Sequence, residues 1–142
     1  MYYYSPYYGP LFELPLEERH EDKTKKMMMF MPLEETFIKG NVVKEQYCPY
    51  HNYTPVMPKG KSEQEQLLIA LMAYGHNIHD LILYLDVYPS NMQALQLMQE
   101  YQNKYQTLEN DYVRKYGPLC KEKGQEENEF VWVKIKSPWL GN

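Results

Sequence analysis

Two apolar ladders organise the chain. The first runs Leu67, Leu71, Tyr74, Ile78, Leu81, Leu85. The second runs Ala94, Met98, Tyr101, Tyr105, Leu108, Tyr112, and one more step of four reaches Tyr116. Steps of four and three residues place side chains on one stripe of an α-helix. Between the ladders lies Asp86-Val87-Tyr88-Pro89-Ser90, which holds a proline and is too short to cross to anything distant. Two helices joined this way lie antiparallel. The pattern predicts a helical hairpin over residues 62–118, with the ladder residues as its seam.

The ends of the hairpin are marked. Ser62 precedes Glu65 by three residues, the spacing of a capping box, so the first helix starts there. It is expected to run to about Leu85, roughly 35 Å at ~1.5 Å per residue. Gly75 inside it is expected to mark the close approach of another backbone. The second helix is expected to begin near Pro89 or Ser90 and to stop at Tyr116-Gly117-Pro118. Arg114 and Lys115 suit the negative end of its dipole. The two helices differ away from the seam. The first also carries Leu68, Ile69, Met72, Ile82 and Leu83, whereas the second is mostly Gln, Asn and charged residues. Surplus apolar surface needs a cover. Candidates are the N-terminal arm, the C-terminal tail or another chain.

The flanks are not hairpin-like. Residues 1–61 form an extended Tyr/Pro-rich arm, because Pro6, Pro10 and Pro15 forbid a continuous helix near the start. Residues 17–26 are densely charged and read as a solvated linker. Met27-Met28-Met29-Phe30-Met31-Pro32 reads as a flexible apolar docking patch rather than a thioether metal site, since no paired Cys or His accompanies it. Leu33–Lys39 follows a proline and stops at Gly40, which predicts a short helix. The run from Tyr47 to Pro55 is extended by its prolines and carries Tyr47, Tyr50 and Tyr53 as aromatic anchors. Pro55–Lys61 links into the hairpin. Residues 119–142 form a polar loop and an aromatic tail. There Val131, Val133 and Ile135 alternate with a strand period, so one strand is expected if another segment or chain supplies a ladder. The fold class is mainly α: an antiparallel two-helix hairpin with an extended arm and an aromatic tail.

Composition narrows the function. With 142 residues and a formal net charge of -4, scattered over both signs, nucleic acid is not an expected partner. Two cysteines, Cys48 and Cys120, make no disulfide scaffold and point to a reducing compartment. No basic start with an apolar run is present, so no signal peptide is expected, and no apolar run approaches the ~20 residues of a membrane span. Fifteen Tyr stand against four Phe and two Trp. Tyr combines large buried area with a polar tip and is common at interfaces. The candidate partner-binding residues are Leu68, Met72, Ile82, Tyr47, Tyr50, Tyr53, Trp132 and Trp139.

Chemistry-bearing motifs are sparse. Cys48-x-x-His51 is half of a zinc site, and His76, His79 or Cys120 would have to complete it without partner spacing. Glu17-x-x-His20 is half of a di-metal carboxylate pattern that needs two such motifs and further glutamates. His76 and His79 lie one turn apart beside Asp80, which supplies two nitrogens and a carboxylate. No catalytic residue, metal ligand or cofactor is assigned. A small metal-binding or redox protein using Cys48, His51, His76 and His79 is the alternative. A hairpin that self-associates into a four-helix bundle is another.

From the first helix onward the chain resembles the CotJB family of bacterial spore-coat proteins. The residues that carry the likeness are Leu81-Ile82-Leu83-Tyr84-Leu85-Asp86, Pro89, Ala94-Leu95, Lys115-Tyr116-Gly117-Pro118-Leu119, and the aromatic end at Trp132 and Ser137-Pro138-Trp139. The N-terminal half resembles the companion CotJA family through Met31-Pro32-Leu33-Glu34-Glu35, Lys39-Gly40 and Tyr47-x-Pro49-Tyr50, and departs from it at Asn41-Val42-Val43. The two resemblances together imply two small coat proteins fused into one. They imply a non-enzymatic role in coat assembly, synthesis in the mother-cell cytoplasm, and a manganese-catalase-like companion as partner. The metal-binding Glu/His pattern of that companion is absent from this chain.

Overall fold

A computed structural model describes residues 29–124 and 130–135. Three α-helices carry the fold: α1 (Leu33–Lys39), α2 (Glu63–Val87) and α3 (Met92–Tyr116). The two long helices pack along each other as the predicted hairpin, and α1 lies against α2.

The helix ends follow from local chemistry. Ser62 accepts the Glu65 backbone N–H at 3.2 Å, as a capping residue should. The Glu65 carboxylate takes the N–H of Lys61 instead of that of Ser62, so the box closes one residue further out. α2 continues two residues beyond Leu85, to Val87. α3 starts later than expected. Asn91, not Pro89 or Ser90, is its N-cap and accepts the Ala94 N–H at 3.0 Å. The Asn91 amide also donates to the Tyr84 hydroxyl at 3.0 Å, which ties the cap to the end of α2. Pro89 and Ser90 lie instead in a turn that the Asn91 N–H closes on the Tyr88 carbonyl at 3.1 Å, so the helix starts after it. α3 ends at Gly117 with φ 95°, a conformation that favours glycine.

The interior has two apolar clusters along the seam. Near the turn, Leu81, Tyr84 and Ala94 pack with Val42 and Val43, and Leu85, Met98 and Tyr101 close around them. Near the open end, Leu68, Leu71 and Tyr112 pack with Leu67, Tyr105 and Leu108. Tyr74 meets Tyr101 edge to face at 5.5 Å between ring centres. The open end is clasped by polar bonds. Lys115 pairs with Glu63, the Tyr116 hydroxyl donates to Glu63 at 3.1 Å, and Gln64 donates to the Tyr112 hydroxyl at 2.8 Å.

Val42 and Val43 come from the arm, so the arm supplies part of the core. Its segment folds back on itself: the Met31 N–H donates to the Val42 carbonyl at 2.8 Å and the Lys44 N–H to Met29 at 2.9 Å. α1 sits between these strands of chain and stops at Gly40 with φ 73°. The unit is fixed to α2 by two polar contacts. Asn77, fully buried, donates its amide to the Leu33 carbonyl at 3.0 Å. The Asp80 carboxylate accepts the Val42 N–H. Phe30 adds an edge-to-face contact with Tyr84 at 5.2 Å.

Two expectations are corrected. Val131–Lys134 is a 3₁₀ turn, not a strand. Its backbone is satisfied locally, with the Val131 N–H on the Gly124 carbonyl at 2.8 Å. The turn is held by Ile135 at Gly117 and Trp132 at Gly124, where an added Cβ would come within 2.7 and 2.6 Å. Gly75 does not mark a backbone contact. Its neighbour is the Tyr105 ring, 3.5 Å from where a Cβ would stand.

Candidate functional site

α2 is apolar on more faces than the fold uses. One face meets α3, and the next meets α1 and the Val42-Val43 stretch. What remains exposes Met72 (41%), Ile82 (43%), Leu83 (51%) and Val87 (65%). Scattered exposed apolar residues are ordinary, but four on one helix need an account. By length and composition alone α2 could cross a membrane; here α3 runs along it, and its polar groups Asn77 and Asp80 hold the arm.

The structure separates the candidate partner-binding residues. Met72 and Ile82 are exposed on α2, as a docking role needs. Leu68 is not available for docking: it is 7% exposed and packs against Leu71 and Tyr112 in the chain's own core. The C-terminal stretch after Tyr116, including Leu119, covers that end of α2. Ile78, assigned to the seam, is only half-buried and lines a groove with Gly75, Tyr105, Gln102 and Gln106 of about 410 Å³. Leu83 and Val87 were not among the candidates and are more exposed than either Met72 or Ile82. Their signal was faint, because an apolar residue off the ladder reads the same whether the arm covers it or not.

The arm's anchors also divide. Tyr47 is half-buried beneath the Lys39 ammonium, 4.9 Å from its ring centre. Tyr50 and Tyr53 are exposed at 76% and 61%, and their rings meet edge to face at 6.5 Å across a turn in which Asn52 has φ 59°. Val56 follows at 75% exposure. Trp132 is half-buried against Gly124, within its own chain, and Trp139 lies outside the described residues.

A second depression, about 220 Å³, lies where the arm meets the end of α2. The buried Val42, Val43 and Tyr84 line it together with the exposed Leu83, Val87 and Tyr88 and the polar Asn41, Gln46 and Asp80. Burial pushes the Tyr84 hydroxyl above the usual phenol range, against the lowering effect of its bond from Asn91.

The metal-half motifs are not gathered. Cys48 and His51 are exposed on the arm, His79 is exposed on α2, and His76 packs against the Phe37 ring at 6.2 Å. The His76 Nε2 and the Asn77 Oδ1 are buried without a hydrogen-bond partner. Asp80 is engaged by Val42. Among the described residues no three His, Cys, Asp or Glu side chains stand together as metal ligands.

The model of the CotJB protein family matches residues 65–140, which is just over half of the chain and spans α2, the turn, α3 and the tail. Residues before 65, including α1 and the run that resembles CotJA, lie outside that match. No curated protein and no solved structure matches the chain.

Proposed function

The chain belongs to the CotJB family of spore-coat proteins, and on that premise we propose that it is a non-enzymatic assembly protein that docks onto other coat components. The manganese-catalase-like companion that the resemblance implies is the first partner to test. The observation that carries this reading is the apolar surface α2 leaves open after α1 and α3 have packed, at Met72, Ile82, Leu83 and Val87. Tyr50, Tyr53 and Val56 on the arm add a second apolar surface that no packing in the described residues consumes. Such surface on a small protein is a common mark of an interaction site.

We further propose that the N-terminal half is the CotJA-like companion fused to the CotJB-like hairpin. The support is physical. Val42 and Val43 complete the core of the turn end, and Asn77 and Asp80 each make a hydrogen bond to arm backbone. Two separate chains docking in the same way would bury the same groups. In this reading the protein is made in the mother-cell cytoplasm and moves from there to the coat.

The test is light scattering of the purified full chain, alone and mixed with the catalase-like protein, followed by a pull-down from sporulating cells. A mixed complex that weakens when Met72 and Ile82 are both replaced by Asp supports the reading. A stable monomer that ignores the companion and recovers no coat protein counts against it. A homogeneous self-assembled species without partners would favour the four-helix-bundle alternative.

A further inference from the structure

We infer that the turn end of the hairpin takes a basic segment of a partner protein, one that sets a Lys or Arg side chain among aliphatic residues. This rests on the docking reading above and specifies the chemistry of what docks.

The shape comes first. The depression of about 220 Å³ is lined by the buried Val42, Val43 and Tyr84 together with the polar Asn41, Gln46 and Asp80, and its lining residues Leu83 and Val87 are open to solvent. The charge is one-sided. No Lys or Arg occurs between Ser62 and Asn103, and α2 has no basic residue in its last turn. Asp86 occupies that turn, exposed, with no ion pair or hydrogen bond among the described residues. A carboxylate at the negative end of a helix is unfavourable on its own, and a cation there relieves both charges. Asp80 supplies the one carboxylate in the lining of the depression, with one oxygen on the Val42 N–H, and Asp86 stands outside that lining, on the same turn as the exposed Leu83 and Val87. On the flanking stretch, Glu45 binds the Met29 N–H and Lys44 is the single cation.

These features select among occupants. A purely apolar partner would strip water from Asp86 without compensation, which is costly. A second copy presenting the same end would bring like charges together. A long basic side chain meets both needs, since its methylene stem lies on apolar surface while its head reaches a carboxylate.

The experiment places photoreactive benzoylphenylalanine at Val87 of the full chain in sporulating cells, with a parallel chain labelled at Met72. Cross-linked peptides are mapped to the residue. The expected result is an adduct from position 87 to a partner segment with Lys or Arg within a few residues of aliphatic side chains. Asp86→Lys is expected to cut its yield by about tenfold or more. Asp86→Asn, which conserves shape, is expected to weaken it less, and serves if the lysine variant misfolds. Adducts from 72 without any from 87 overturn this inference and leave the docking reading in place. Adducts from neither position overturn both. Capture of residues 1–28 of the same chain, of a second copy, or of a segment without basic residues overturns the assignment, as does an adduct indifferent to both Asp86 variants.

Discussion

Asn77 reaches from the middle of α2 to the backbone carbonyl of Leu33, 44 positions earlier in the chain, and donates its side-chain amide at 3.0 Å. The same amide donates to Ala73 at 2.8 Å, one turn back in its own helix. A fully buried side chain thus joins the arm to the hairpin.

Replacing it tests whether the arm and hairpin are one unit. Asn77→Ala is expected to cost about 1–3 kcal/mol, the range for losing a buried hydrogen-bonded group. Hydrogen exchange is expected to quicken first at the α1 amides. Uniform loss of protection across α2 and α3, with α1 unaffected, would place the coupling elsewhere.

Leu81 and Ile78 sit one turn apart and are expected to differ. Leu81 is fully buried, so Leu81→Ala should cost about 2–5 kcal/mol. Ile78 lines an open groove, so Ile78→Ala should cost clearly less. Denaturant midpoints of the two variants decide it; equal losses would mean that the groove closes in solution.

Gly75 and Gly117 are expected to respond in opposite directions to alanine. At Gly75 a Cβ meets only the Tyr105 ring, at an ordinary 3.5 Å. Gly75→Ala should therefore raise stability by about 1 kcal/mol through helix propensity. Gly117 holds φ 95° and a Cβ there lies 2.7 Å from Ile135. Gly117→Ala should destabilise by about 1–3 kcal/mol. Thermal melting of both variants checks the pair.

The clasp at the open end is expected to depend on pH and salt. The hydrogen bond from Lys115 first, then the one from Tyr116, holds the Glu63 carboxyl below its ordinary range. The unfolded chain then binds more protons than the folded one as pH falls, so this contribution is full above the unfolded carboxylate value and is lost on acidification through the folded one. The Lys115 ammonium is held above its ordinary range by Glu63, so its share is lost only as pH rises past the folded value. The pair is exposed and its effect is small and screened. Melting curves of Glu63→Gln should show a flatter acid limb than the parent, and the difference should shrink in 1 M salt.

Local pattern determined the helices. Ladder spacing, the Ser62 cap, and the stops at Gly40 and Gly117 all depend on contacts within a few residues, so they are legible in the chain. The same holds for the surplus apolar character of α2. Tertiary structure decided how that surplus was divided. Leu68 went to the core because the stretch after α3 reaches it, and Leu83 and Val87 were left open because the arm stops short of covering them. Asn77 reads as one polar residue on an apolar helix. Its burial is set by a carbonyl 44 positions away, and periodicity carries no information about that distance. The alternation at Val131–Ile135 failed for a related reason: a strand exists only with a ladder to join, whereas a turn can be satisfied by the nearby Gly124 carbonyl. The bond from the Asn91 amide to the Tyr84 hydroxyl likewise joins the start of α3 to α2 and exists only once the hairpin has closed.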